Sequence, residues 1–161
     1  MIVEFQKIEE ISDGRVDFYS ARLGENELYE FEYFDGKDFS KHEKEIQILY
    51  NVIDQIKYKT AKQYFFKHEN AANALPKVSP EIIKANLDDF GIRLYCIRLT
   101  DNVLILLNGD IKTKQNPMDC DKVRIHFMNA IKIANKLDKA LLAREINYQN
   151  VNCLVGYEID I

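Results

Sequence analysis

The stretch GIRLYCIRLTDNVLILLNGDIKTKQNP, residues 91–117, decides the fold because it contains two strand-forming runs. Residues 92–99 are rich in β-branched and aromatic types, and residues 103–107 form an unbroken apolar run. The pattern predicts a β-hairpin whose second strand is central in a sheet and buried on both faces. The residues between the two runs favour a turn, and they are Thr100, Asp101 and Asn102.

Basic and aromatic side chains lie on the first strand of this predicted hairpin. Because side chains alternate across a strand, Arg93 and Tyr95 share one face and Arg98 lies on the other. The second strand is almost entirely apolar, so it contributes mainly to packing. The first strand is therefore the one that can present functional groups.

A glycine and two lysines follow the apolar run. Gly109 permits a turn at this point, and Lys112 and Lys114, two residues apart, would point the same way in an extended backbone. Two aligned lysines suit a polyanion such as a phosphate chain. Ordinary solvated lysines at the end of a strand fit the same spacing, and spacing alone favours that simpler interpretation.

The order of these motifs resembles a known family. LYCIRL at 94–99 and VLILLNGDIKTK at 103–114 are followed by Pro117 and a long amphipathic pattern, and YFFKHENAANALP at 64–76 precedes them. This order is similar to the RelE/ParE/HigB superfamily of toxin-like proteins, most of all to a longer, phage-associated HigB-like branch. The resemblance covers roughly residues 25–145.

The resemblance implies a small twisted sheet with helices on one face. It also implies the toxin of a type II toxin–antitoxin system, an endoribonuclease that cuts messenger RNA on the ribosome without a metal ion or other cofactor. The implied partners are ribosome-bound messenger RNA and a helix-turn-helix antitoxin-like protein, and a homodimer is left open. The basic positions that match are Arg93, Arg98, Lys112, Lys114 and, more weakly, Lys67.

These residue types suit RNA cleavage on physical grounds. The reaction needs the 2′-hydroxyl aimed in line at its phosphate, and then needs the developing negative charge to be stabilised, which fixed cations do. Arginine holds a phosphate with a bidentate fork, lysine acts as a point charge, and tyrosine stacks on a base or donates its hydroxyl. The expected roles are charge stabilisation for Arg93, Lys112 and Lys114, a base or hydroxyl contact for Tyr95, and support for Arg98 and Lys67.

The general base is not identified by the pattern. A lysine serves if neighbouring cations lower its pKa, and His68 is the histidine nearest to the motif in the sequence. An isolated histidine beside Glu69 is more often a surface residue than a catalyst. His42 and His126 fall on predicted helices, where a solvated or core-edge role is the better expectation.

The overall charge favours a second hypothesis. The chain has 22 Lys and Arg against 26 Asp and Glu, a formal net charge of −4, and a pI near 5.4. Strong RNA binders are usually basic, although a local basic face can survive inside an acidic molecule. The alternative is therefore a catalytically inactive RelE-like module that binds an antitoxin-like protein or a phage or host factor.

Composition predicts one globular α+β domain over residues 1–161, with 47% apolar and 30% charged residues. No apolar run approaches the roughly 18 residues of a membrane span, and Glu4 lies where a signal peptide has positive charge, so we expect a cytoplasmic protein. Three widely spaced cysteines support neither a disulfide framework nor a zinc site.

Hydrophobic periodicity predicts the other elements. A capping-box pattern at Ser40 and Glu43 begins one helix, and residues 119–144 form the longest. The expected architecture is a mainly antiparallel twisted sheet covered by helices, with an N-terminal extension (1–24) and a C-terminal strand tail (146–161). The expected strands are 2–8, 15–23, 28–34 and 153–158, and the expected helices are 40–57, 79–85 and 119–144.

Two segments are harder to interpret. Alternation of Tyr29, Phe31 and Tyr33 with glutamates predicts the half-buried strand 28–34, with the aromatic stripe in the core. Lysines and aromatics interleave over residues 57–67, which fits an RNA-facing patch or a second amphipathic helix equally well. Residues 70–80, which contain two prolines, are expected to be a loop.

Overall fold

The computed structural model describes residues 1–77 and 91–161. Seven strands form one sheet in the order β3-β4-β5-β6-β2-β1-β7. In chain order the strands are β1 (Ile2–Lys7), β2 (Asp17–Leu23), β3 (Lys67–Glu69), β4 (Ala72–Leu75), β5 (Ile92–Thr100), β6 (Val103–Ile111) and β7 (Glu158–Asp160). The α-helices of the described residues are α1 (Glu30–Asp35), α2 (Glu43–Lys59) and α3 (Asp121–Leu142).

The predicted hairpin is confirmed by β5 and β6, which pair antiparallel with Ile97 opposite Ile105. β6 lies in the middle of the sheet, and its residues from Val103 to Gly109 are all buried. The turn predicted at Gly109 is wrong, because this residue lies inside β6 opposite Leu94. A Cβ at Gly109 would come within 1.8 Å of the Arg93 carbonyl oxygen, so glycine is needed for close strand approach.

The N-terminal and C-terminal parts of the chain supply β2, β1 and β7, which lie on the side of β6 away from β5. β2 pairs parallel with β6 over residues 17–19, whereas every other pairing is antiparallel. The mainly antiparallel α+β architecture is therefore confirmed. The tail strand β7 pairs with β1, with Ile159 opposite Val3. The strand predicted at 153–158 is wrong in position, because β7 begins at Glu158 and shares only that residue with the predicted range.

Helices pack on both faces of the sheet. α3 buries Val123, Ala130 and Leu137 against one face, which is called the α3 face below. On the opposite face α2 buries Leu49, Ile53 and Ile56 in a second hydrophobic core. The resemblance implied helices on one face only.

The strand predicted at 28–34 is wrong, because most of this segment forms α1. The Glu32 carboxylate accepts the backbone N–H of Tyr29 at 2.8 Å, which caps the helix start. Phe34 is fully buried, and of the predicted stripe only Phe31 packs against the same core, while Tyr29 and Tyr33 are partly buried outside it. A contact with β2 also stabilises the start of the helix, because the backbone N–H of Phe31 donates to the Ser20 hydroxyl at 2.9 Å.

The segment after α2 also differs from expectation. Instead of a second amphipathic helix, a single 3-10 turn (Gln63–Phe65) leads into β3. Part of the expected loop 70–80 forms β4 instead. This strand pairs with β3 on one side and with β5 on the other, where Ala74 lies opposite Tyr95. The predicted helix 79–85 falls outside the described residues.

The two long helices match the sequence pattern closely. A 3-10 turn (Ser40–His42) and then α2 account for the helix predicted at 40–57, and α3 accounts for the helix predicted at 119–144. Within residues 1–77 and 91–161, no helix has the length and apolar character needed to cross a bilayer.

Candidate functional site

Three of the predicted basic residues converge on the α3 face. Lys67 on β3 lies opposite Ala74, which in turn lies opposite Tyr95, so these side chains form one row across the sheet. Arg93 precedes Tyr95 by two residues and shares its face. Lys112 follows β6 directly, and its backbone N–H donates to the carbonyl of Gly91. We call Lys67, Arg93 and Lys112 the cation cluster.

The environment of the cluster lowers the pKa of Lys112. Burial is the largest cause, and the positive charges of Lys67 and Arg93 add to it, whereas the Glu69 carboxylate acts in the opposite direction. Burial and like charges both disfavour the ammonium form of a lysine. Lys112 is therefore the member of the cluster best suited to accept a proton.

Glu69 supplies a counter-charge to the cluster. Its Oε1 lies 3.0 Å from the Nζ of Lys67, two residues earlier on the same face of β3. Glu69 therefore offsets part of the positive charge that Lys67 brings to the cluster. The sequence interpretation considered Glu69 only as a neighbour of His68, although its period-two spacing from Lys67 was a readable signal.

A second carboxylate lies on the far side of the cluster. Asp110 is opposite Arg93 in the pairing of β5 with β6, and its Oδ2 is 3.3 Å from the Nζ of Lys37. The guanidinium of Arg93 also donates to the carbonyl of Ile92 at 3.0 Å. The carboxylate of Asp110 therefore has Lys37 as an ion-pair partner.

Access to the cluster is through Lys67. The Lys67 side chain is 42% exposed, whereas Arg93 and Lys112 are 4% and 7% exposed. Lys67 is therefore the member of the cluster that a ligand from solvent meets first.

Tyr95 is fully buried, so the expected base-stacking role is wrong. Its ring packs edge-on against Phe127, with 5.7 Å between ring centroids. Burial also raises the pKa of Tyr95. The hydroxyl oxygen has no hydrogen-bond partner among the described residues, and the ring belongs to the core beneath the cluster.

Arg98 and Lys114 do not join the cluster. Arg98 lies on the opposite face, where its guanidinium pairs with Asp101 and its Nε donates to the Ala61 carbonyl at 2.6 Å. Lys114 is exposed, and β6 ends at Ile111, so no extended backbone aligns it with Lys112. The site that the structure assembles therefore contains Lys67, Arg93 and Lys112 from the predicted set.

The histidines lie outside the cluster as well. His68 is exposed and follows Lys67 on β3, so it points to the opposite face. His42 is hydrogen-bonded to the buried Glu45. His126 is partly buried at the edge of the core, with its Nε2 3.4 Å from the Nζ of Lys37.

Glu30 of α1 and Asn108 of β6 form a buried polar pair that the sequence did not predict. Burial raises the pKa of Glu30, while a hydrogen bond with Asn108 and the charge of Lys37 oppose this shift. Both Glu30 and Asn108 are buried. Lys37 also donates to the Gly109 carbonyl, so these polar contacts join the two ends of α1 to the last part of β6.

No metal centre is formed by the described residues. In residues 1–77 and 91–161, no three His, Cys, Asp or Glu side chains are grouped so that they could hold an ion. Cys96 is buried on β5. Burial strongly raises its pKa, which keeps it a neutral thiol.

Comparisons with known proteins gave no match to a family model, to a curated protein or to a solved structure. Function therefore has to be inferred from the cation cluster and its surroundings.

Proposed function

We propose that this protein is a RelE/HigB-like toxin that binds ribosome-bound messenger RNA at the cation cluster and cleaves it without a metal ion. The observation that supports the proposal is the convergence of Lys67, Arg93 and Lys112 on one face of the sheet, in a molecule whose formal net charge is −4. The RelE/HigB-like part of the fold would run over roughly residues 25–145. β1, β2 and β7 would then be additions that widen the sheet.

Each member of the cluster has its own role in this proposal. Lys67, the most exposed, meets the phosphate first. Arg93 lies behind it and stabilises the negative charge that develops on the phosphate oxygens, where a preorganised and partly desolvated cation is most effective. Lys112, whose pKa is lowered, takes the proton from the 2′-hydroxyl as its oxygen bonds to phosphorus, and returns that proton to the 5′-oxygen as the phosphorus–oxygen bond to this atom breaks.

The proposal is tested by induced expression of cluster variants. Wild-type protein should arrest growth and produce cleaved messenger RNA, and Lys112→Met should remove most cleavage, about 100-fold or more for loss of a general base. Methionine keeps the length and apolar stem of the buried lysine. Lys67→Ala should weaken RNA binding and relieve the arrest in part.

Lys114→Ala is the matched control, because Lys114 is exposed and lies outside the cluster. This variant should arrest growth as strongly as the wild type. Unimpeded growth at high soluble expression of the wild-type protein would refute the proposal, as would equal loss of activity in the Lys114 and Lys112 variants. Circular dichroism melts of each variant check that loss of activity is not loss of fold.

A second function, a non-catalytic interaction module, is favoured by a different observation. Arg93 and Lys112 are almost fully buried, and the predicted RNA contact Arg98 is paired with Asp101. Under this alternative the cluster is structural and the partner is an antitoxin-like protein or a phage or host factor. Pull-down from the native cell with parallel RNA cross-linking separates the two functions, since recovered protein without cross-linked RNA supports the module.

A further inference from the structure

A polar cavity lies on the opposite side of β3 from the cation cluster. Its volume is about 490 Å³, which is within the range of small-molecule sites. Because side chains alternate on β3, Lys67 points to the cluster and His68 points to the cavity. The cavity is lined by Gln63, Phe66, His68, Ala71, Asn73 and Arg98.

The lining of the cavity has the chemistry that recognises nucleobases. Gln63 and Asn73 offer amides, and Arg98 offers a guanidinium, the groups that most often read the edges of bases. The buried Phe66 adds an apolar surface. No carboxylate is among the lining residues, so nothing in the lining repels a phosphate.

Several of these groups are available to a ligand. The side chains of Gln63 and His68 are exposed and form no hydrogen bond within residues 1–77 and 91–161. Asn73 accepts the backbone N–H of Arg98 at 3.1 Å through its amide oxygen, which leaves its NH₂ group as a donor.

The charge around the cavity is positive. Asp101 pairs both with Arg98 and with Lys62, whose Nζ lies 2.6 Å from its Oδ2. Two cations and one carboxylate leave one positive charge in excess at this end of β5. The Arg98 guanidinium is also held by the Ala61 carbonyl, so its position is set before a ligand binds.

We propose that this cavity binds a nucleotide, with the base edge on the amides of Gln63 and Asn73 and the phosphate beside His68 and Arg98. β3 is an edge strand, and Lys67 and His68 are adjacent on it. A strand of RNA whose phosphate lies at Lys67 would therefore place a neighbouring nucleotide at the cavity, and this part of the inference rests on the proposed function. A free mononucleotide presents the same chemistry without the RNA.

The test is isothermal titration calorimetry on the full chain with the four ribonucleoside 5′-monophosphates and with a short single-stranded oligoribonucleotide. At least one ribonucleotide probe should bind. Gln63→Ala and His68→Ala should each weaken binding about tenfold or more, as expected when a ligand loses a hydrogen bond or charge contact. Gln149→Ala, at an exposed glutamine of a distant turn, is the matched control and should leave the Kd unchanged.

The source of the nucleotide follows from the relative affinities. Tighter binding of the oligoribonucleotide, weakened by Lys67→Ala, assigns the cavity to RNA, whereas equal or tighter binding of a mononucleotide assigns it to a free nucleotide. Absence of binding by every probe, or an unchanged Kd in both the Gln63 and the His68 variants, would overturn the proposal.

The same variants separate this inference from the proposed function. Lys112→Met should remove most RNA cleavage and leave the affinity of the cavity for a mononucleotide unchanged, because Lys112 lies on the other face of the sheet. Nucleotide binding that depends on His68, in a protein that never cleaves RNA, would uphold the cavity and refute the toxin proposal. RNA cleavage without any nucleotide binding at the cavity would uphold the toxin proposal and refute the cavity proposal.

Discussion

His126 should make the fold sensitive to acid. This side chain, on α3, is partly buried beside Lys37, which follows α1, and near Asp110 of β6. Burial first, and the charge of Lys37 second, lower the pKa of His126 from 6.5 to about 4, with Asp110 acting in the opposite direction. The neutral imidazole is thus the form that the folded protein prefers.

The size and sign of the effect follow from linkage. Between pH 6.5 and about 4 the unfolded chain binds a proton at His126 that the folded protein does not, so stability falls as the pH is lowered through this window. At about 1.4 kcal/mol per pH unit, the loss is about 2 kcal/mol at pH 5 and about 3 kcal/mol at pH 4. Above pH 6.5 this contribution is fully present, and below about pH 4 the loss is constant.

The comparison that isolates His126 is with His126→Gln, which cannot titrate. Urea unfolding of both proteins at pH 7.5, 6.0 and 5.0 gives the free energy of unfolding, and the wild type should lose about 2 kcal/mol more than the variant between pH 7.5 and 5.0. The carboxylates titrate in both proteins, so they cancel in the difference. Lys37→Met should raise the pKa of His126 and reduce the excess loss.

Parallel pH profiles of the wild type and His126→Gln would refute this reasoning. The imidazole resonances of His126 give a direct check by nuclear magnetic resonance, because its titration midpoint should lie well below 6.5. A midpoint at or above 6.5 would show that neither burial nor Lys37 controls its protonation.

Two further predictions concern the centre of the sheet. Gly109→Ala should cost about 3 kcal/mol or more, because its Cβ would meet the Arg93 carbonyl oxygen, whereas Gly156→Ala, which meets no atom within 4 Å, should cost only the roughly 1 kcal/mol of its positive φ. Thermal melts of the two variants test this, and equal Tm losses would contradict it. Leu104→Ala should cost about 2–5 kcal/mol, since Leu104 is fully buried, while Leu142→Ala, 83% exposed, should stay within about 0.5 kcal/mol. Urea midpoints check this pair, and a small loss at Leu104 would mean that β6 is not in the core.

The sequence predicted those helices and strands whose pattern of apolar residues is clear within the segment itself. The apolar run at 103–107 could be buried only in a central strand, and the helical periodicity of α2 and α3 runs over many residues. Both signals depend on the spacing of side chains along a single segment. They were therefore readable before any tertiary contact was known.

The secondary structure of short segments was set by their tertiary contacts. The alternation at 28–34 fits a strand, but Glu30 and Phe34 are also four residues apart, and both are buried in α1. β4 has little strand character of its own and exists because β3 and β5 pair with it on either side. In such segments the preference of each residue is small compared with the contacts that tertiary structure adds.

The sequence by itself determined the class of the fold, the hairpin and the presence of cations on it. Only the tertiary structure decided which cations meet. Lys67, Arg93 and Lys112 belong to separate segments, and sheet pairing brings them to one face, while the end of β6 at Ile111 leaves Lys114 outside. The physical reason is that a side chain's direction follows from local backbone period, but its neighbours follow from strand order and register, which are set by contacts distant in the sequence.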